Sequence, residues 1–308
     1  KRMKEDNYYI RSYSKNKPYS GYYVSTKLWV GDYVNGETFE ELGQRATGIE
    51  RIAVMRADVD NLGQAFVRGF ENEKNGSKYV TLSRTATFSR KLSMFFKYHI
   101  NSLLKEGGYS ILEEEVQMEK EDDRRNALIV YSGGDDIFIV GAWDDIIGFA
   151  VDLHDNLMEY SQDTLKISAG IGIYPSKYPI SIMARETGRL EEAAKSVEGK
   201  NAVALFDEKY TFPWEEFIEN VVEEKLYFIQ KYFKVVDEKG KNFLYNLLEL
   251  VRKRKEDKIN IARFAYLLGR MEPKVQRGEK KEEIEEKRDL HREFSRKMYE
   301  WIRVEKDA

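Results

Sequence analysis

The stretch Ala127-Leu128-Ile129-Val130-Tyr131-Ser132-Gly133-Gly134-Asp135-Asp136-Ile137-Phe138-Ile139-Val140-Gly141 decides how this chain is read. Two apolar runs, 127–131 and 137–141, flank four residues of turn-forming type, the pattern of a β-hairpin. Gly133 and Gly134 carry no side chains. They let a ligand approach the backbone and permit the positive φ that a tight turn can require. Asp135 and Asp136 then place two carboxylates at the tip. A solvent-exposed acidic turn would account equally well for the tetrad alone, so its surroundings must decide.

Upstream, 52–55 is a short buried strand running into Asp58-Val59-Asp60-Asn61-Leu62-Gly63, which leaves the strand and enters a helix. Such a junction offers backbone N–H groups to phosphate. Apolar residues Phe88, Leu92, Phe95, Phe96, Ile100 and Leu103 predict one helix over 82–104, stopped at Gly107-Gly108. Downstream, 144–160 reads as a helix, 166–174 as a strand, 180–197 as a helix and 202–206 as a last strand. The order β-α-β-β-α-β-α-β is that of an α+β fold with a ferredoxin-like palm. In that fold the first strand lies antiparallel beside the third, which brings Asp58 next to Asp135 and Asp136.

Clustered carboxylates repel one another unless a cation neutralises them, and oxygen-only ligands favour Mg²⁺ or Mn²⁺. Two such ions would lower the pKa of an attacking hydroxyl and stabilise a pyrophosphate leaving group. Four nearby residues admit two readings each. Asp60 either supports the acidic cluster from behind or caps the following helix. Ser132 either touches a ribose or phosphate or simply ends a strand. Lys195 and Lys200, in Ala194-Lys195 and Gly199-Lys200-Asn201, either reach a triphosphate or complement a helix C-terminus.

With 308 residues, Pro 5 and Gly 21, the chain accommodates two compact domains without long linkers. Its formal net charge of −3 creates no global field for wrapping nucleic acid. Cys 0 excludes disulfides and cysteine zinc sites, and His99, His154 and His291 are too scattered for a local metal motif. No apolar run approaches the roughly 18 residues of a membrane span, so a cytoplasmic location is expected. The chain opens Lys1-Arg2-Met3 and is expected to be a fragment or processed form.

Three regions follow. Residues 1–48, rich in tyrosine and turn residues, are a strand-and-turn segment from a preceding module. Residues 49–212 form the palm. Residues 213–308 switch to helix only, with a roughly 3.6-residue period from Phe217 to Phe233 and further runs at 242–253, 258–270 and 283–302, which suggest an α-helical bundle. Arg252-Lys253-Arg254-Lys255 is either a contact for an RNA backbone or a solvated helix end.

The strand order, Asp58, the Gly133-Gly134-Asp135-Asp136 hairpin, Ser168-Ala169-Gly170-Ile171-Gly172 and Ala194-Lys195…Gly199-Lys200-Asn201 together resemble the nucleotidyl-cyclase and GGDEF superfamily. A GGDEF enzyme has Glu-Phe where Asp136-Ile137 stands, which argues against cyclic-di-GMP synthesis. A closer resemblance is to the large subunit of type III-A (Csm) CRISPR effector complexes. It is carried by Phe39-Glu40-Glu41-Leu42, Arg56-Ala57-Asp58-Val59-Asp60-Asn61-Leu62-Gly63, Leu82-Ser83-Arg84, Leu92-Ser93-Met94-Phe95-Phe96 and Tyr131-Ser132-Gly133-Gly134-Asp135-Asp136. It covers about residues 37–270.

That resemblance implies Mg²⁺- or Mn²⁺-dependent synthesis of cyclic oligoadenylates from ATP for antiviral defence, switched on by target RNA. Partners would be the other complex subunits, with guide and target RNA. Asp58, Asp135 and Asp136 would be catalytic and, with the Val59 carbonyl, hold metal. Val59, Asp60, Asn61, Leu62, Gly63, Ser132, Gly133, Gly134, Lys195 and Lys200 would border the nucleotide. The His-Asp nuclease motif, the first palm and the zinc module of full-length members are not read in this chain. The alternative is a catalytically silent palm acting as a scaffold subunit of the ribonucleoprotein.

Overall fold

The computed structural model describes residues 11–15, 24–71, 76–112, 123–236, 242–253, 259–274 and 281–304. It divides into two compact units, 1–222 and 223–308. The first contains β1 (Arg11–Lys15) and β2 (Val24–Leu28), paired in parallel, then α1 (Phe39–Gln44), β3 (Ile52–Val59), α2 (Leu62–Arg68) and α3 (Leu82–Met94). A π-helical stretch, Phe95–His99, joins α3 to α4 (Ile100–Glu106). The palm continues with β4 (Ala127–Ser132), β5 (Asp136–Ala142), α5 (Trp143–Ser161), β6 (Ile167–Tyr174), α6 (Ile180–Ser196), β7 (Ala202–Leu205) and β8 (Thr211–Pro213). A short α7 (Trp214–Glu216) and a π-helical run, Phe217–Leu226, follow.

The sheet order is β4-β5-β3-β6-β7-β8. β3 is antiparallel to both β5 and β6, so the four strands β4-β5-β3-β6 reproduce the expected palm order. Residues 52–55 of β3 are buried on both sides, as a central strand requires. Toward its end Arg56 and Asp58 emerge half-buried while Ala57 and Val59 stay buried. The period of two along a strand puts those two polar residues on one face. On that face Ile52 and Val54 pack with Leu42, Val140 and Met183, which places α1 and α6 over it. The other face packs against α5.

Several expectations change in detail. The predicted helix 82–104 is three pieces, because the Phe95–His99 segment adopts π-helix geometry that a 3.6-residue pattern does not encode. The turn is shorter than the tetrad, since Asp136 already pairs with Asp58 as the first residue of β5. Neither Gly133 nor Gly134 has positive φ, so the turn does not use that freedom. β4 carries a bulge between Ile129 and Tyr131 that leaves Val130 and Tyr131 both exposed. The first unit also runs to Val222 rather than 212, because Trp214 is buried in it, stacked on His154 and donating its indole N–H to the Ile167 carbonyl at 2.9 Å.

The second unit holds α8 (Tyr227–Val235), α9 (Asn242–Arg252), α10 (Ile259–Arg270) and α11 (Lys281–Val304). Tyr232, Phe243, Leu247, Phe264, Leu268 and Phe294 form its core. Tyr232 stacks on Phe294, and its hydroxyl meets His291 Nδ1 at 2.8 Å. Burial pushes that phenol up to about 12. Of the basic run 252–255, residues 254 and 255 lie outside the described residues. No described helix is long and apolar enough to cross a membrane.

Candidate active site

The register of β3 sets the site. Asp58 faces Asp136 across one strand boundary and Ser168 across the other. The Val59 N–H donates to the Asp135 carbonyl at 3.1 Å, so the pairing continues around the turn. This register brings the Asp58 and Asp135 carboxyls close enough for the charge of one to act on the other. Burial, then the charges of Asp58 and Asp136, hold the Asp135 carboxyl above the ordinary aspartate range. Two carboxyls in that relation need a proton or a cation between them. Asp136 lines a cleft with Tyr131, and its charge raises the pKa of the Tyr131 hydroxyl.

A cation is supplied from α6. Lys195 Nζ donates to Asp58 Oδ2 at 2.5 Å and to Glu191 Oε1 at 2.6 Å. Burial pulls its ammonium pKa down, but the bonds to Asp58 and Glu191 outweigh this and leave it raised. Glu191 also pairs with Arg56 Nε at 3.2 Å. Lys200 lies beside the junction after β3, donating to Asn61 Oδ1 at 2.9 Å. Both lysines thus reach from the end of α6 to side chains at the end of β3.

Other candidates are placed differently. Asp60 neither caps α2, whose N-cap is Asn61, nor joins the acidic pair. Only 6% exposed, it accepts from Ser168 Oγ at 2.9 Å and from the Asn201 N–H at 3.0 Å. It therefore ties the end of β3 to β6 and to the loop after α6. Ser132 donates to the Phe96 carbonyl at 2.5 Å, anchoring the hairpin to the π-helical stretch. Asn61 sits in the left-handed region, φ 54°. Leu62 is half-buried and Gly63 exposed at the start of α2. Around Gly134 and Gly63 a Cβ would meet nothing within 4 Å, so both border open space.

Sequence reasoning missed Glu191, Arg56 and Tyr131. The first had a signal, since Glu191 stands four residues before Lys195 on one helix face. Arg56 had another, two residues from Asp58 on one strand face. Tyr131 had none, because the bulge that exposes it leaves no trace in the alternation. The sequence contains one His-Asp dipeptide, His154-Asp155. It lies in α5 with the imidazole against Trp214, and among the described residues no three His, Cys, Asp or Glu side chains gather to hold a metal. That includes the acidic hairpin as it stands, where Asp136 faces Tyr131 and Lys195 occupies the cationic position. The donors there are oxygens only, the type a hard divalent ion takes, with the Lys195 ammonium as the competing cation.

Residues 51–204 match the family model for Cas10/Cmr2, second palm domain, and 230–308 match that for the CRISPR RNA silencing complex Cmr2 subunit, second helical domain. A curated relative from Mycobacterium tuberculosis, the CRISPR system single-strand-specific deoxyribonuclease Cas10/Csm1 (subtype III-A), is 51% identical over 264 residues. The match takes in 85% of this chain but 32% of that protein, so the chain spans about a third of its relative's length. Among solved structures, a Csm1-Csm4 cassette in complex with one ATP superposes with a TM-score of 0.65 at 27% identity, covering 93% of this chain and 42% of that one. A Csm1-Csm4 cassette in complex with cA4 gives 0.63 at 25% identity, covering 93% and 43%. With the palm model matched from the strand before Asp58 through the strand after Lys195, the chain belongs to the Cas10/Cmr2 family.

Proposed function

We propose that this chain is the second-palm and helical portion of the large subunit of a type III-A CRISPR effector complex, and that its palm polymerises ATP into cyclic oligoadenylates. The observation that carries this reading is the approach of the Asp58 and Asp135 carboxyls at the hairpin tip, with Lys195 bonded to Asp58. Such a pair is costly to keep without an ionic partner. Likeness to cassettes solved with ATP and with cA4 supports the choice of nucleotide. Asp58, Asp135 and the Val59 carbonyl would hold Mg²⁺ or Mn²⁺, with Asp136 supporting them. When bound, the ions would lower the pKa of a ribose hydroxyl and offset charge on the leaving pyrophosphate.

The chain's own residues do the rest. Lys195 and Lys200 bring positive charge to the phosphates, and side-chain-free Gly134 leaves the hairpin tip open to them. Ser132 and Asp60 keep the two halves of the site in register through Phe96, Ser168 and Asn201. By the same likeness, a Csm4-type subunit and guide and target RNA are the proposed partners. The nuclease activity named for the relative is assigned to sequence outside this chain.

The test is to incubate the assembled complex with ATP, Mg²⁺ and target RNA and to analyse products by mass. Cyclic oligoadenylates that disappear in Asp58→Ala and Asp135→Ala support the reading. A complex that binds RNA and cleaves normally yet yields no adenylate product supports the scaffold alternative.

A further inference from the structure

A row of charges runs along the α6 face of the sheet, from half-exposed Arg56 through buried Glu191 and half-buried Lys195 to Asp58. Glu191 is its centre: one oxygen takes Arg56 and the other takes Lys195. The residue is only 7% exposed, and it lines a cleft of about 190 Å³ with Arg56, Tyr131 and Asp136. Its backbone is fixed as well. α6 approaches β6 so closely that a Cβ on Gly170 would lie 2.3 Å from the Glu191 nitrogen. A carboxylate mounted this rigidly does not follow Lys195; Lys195 follows it.

We infer that Glu191 is a positioning residue for Lys195, holding the ammonium beside Asp58 and retaining it when a divalent cation takes Asp58. The inference rests on reading Asp58 and Asp135 as metal ligands. With Glu191 present, Lys195 gives up one of two anionic partners when metal arrives. Without Glu191 it has Asp58 alone, and an incoming ion must displace a lysine that has no second anion to hold it. That stronger competition for Asp58 weakens metal binding.

The experiment is a Mn²⁺ titration of the full chain without nucleotide, read by electron paramagnetic resonance, with melting temperature as a check on folding. Glu191→Ala and the isosteric Glu191→Gln should each weaken Mn²⁺ binding by about tenfold. Lys195→Ala alone should tighten it, since the competing cation is gone. Added to Lys195→Ala, the Glu191→Ala change should then cost less than about twofold, because the residue through which Glu191 acts is missing. Wild-type Mn²⁺ affinity in a folded Glu191→Gln chain would overturn the inference. So would an equal loss with and without Lys195, which would make Glu191 a remote charge only. If the wild-type chain binds no Mn²⁺, the metal reading of Asp58 and Asp135 fails, and the inference with it.

Discussion

Two aspartates, Asp58 and Asp60, stand two positions apart at the end of β3 and meet different fates, and the difference is testable residue by residue. Asp58 is half-buried at the end of a strand and bonded to the Lys195 ammonium. Truncating it opens no core cavity, so Asp58→Ala should lower kcat/KM for ATP by on the order of a hundredfold or more while leaving the melting temperature near wild type. Near-wild-type product yield from a folded Asp58→Ala chain would remove Asp58 from the site. Asp60→Ala should do the reverse in kind. It strands the buried Ser168 hydroxyl and the Asn201 N–H, which costs about 2 kcal/mol and shows as an earlier thermal transition. The Asp58–Asp135 approach was legible in the sequence, because strand order alone forces it once the hairpin is recognised. The role of Asp60 was not, since its partners lie 108 and 141 residues away, one in β6 and the other in the loop after α6.

At the level of elements, apolar patterning located nearly every strand and helix of the palm but not their irregularities. The π-helical stretch keeps the apolar residues of a continuous helix, so periodicity joined 82–104 into one piece. Its consequence is the Phe96 carbonyl presented to Ser132. The α6–β6 contact is the opposite case, where a single small residue carries the geometry. At Gly170 a methyl group would meet the Glu191 nitrogen and the Thr187 carbonyl at 2.3 and 2.6 Å, and backbone cannot swing aside as a side chain can. Gly170→Ala should therefore destabilise the palm by about 1–3 kcal/mol and displace the helix bearing Lys195, lowering activity along with the melting temperature. An unchanged transition would mean that α6 is held less tightly than the contact implies. In the second unit, the Tyr232 phenol ionises about two pH units later in the folded protein than at its ordinary 10.0. Its contribution is complete below pH 10, where both states are neutral, and is lost as pH climbs from 10 towards 12. Tyr232→Phe should cost about 1 kcal/mol at pH 8 through the lost His291 bond, yet show a shallower decline above pH 10 than wild type in paired denaturation curves.

For the molecule as a whole, the issue is where the palm ends. The switch from mixed to purely helical patterning falls near residue 213, and composition offers no later landmark. Packing moves the boundary, because Trp214 is among the largest fully buried side chains of the first unit. Its ring lies 5.0 Å from that of His154, its indole N–H satisfies the Ile167 carbonyl at the start of β6, and Phe217 is buried beside it. No periodicity in 213–222 distinguishes residues that belong to the palm from residues that belong to a following bundle, since both are apolar and helical. The two boundaries make opposite statements about a shortened chain. One ending at residue 222 keeps the indole in place and should unfold in a single cooperative transition. One ending at residue 212 leaves an open apolar slot beside His154 and an unpaired carbonyl on the strand that faces Asp58. Loss of a buried tryptophan costs about 3–5 kcal/mol, a large part of the stability of a domain this size. The shorter chain should therefore melt well below the longer one, and Trp214→Ala in the longer chain should reproduce most of the difference. Equal melting temperatures for the two would return the boundary to residue 212 and reduce Trp214 to a passenger of the helical region.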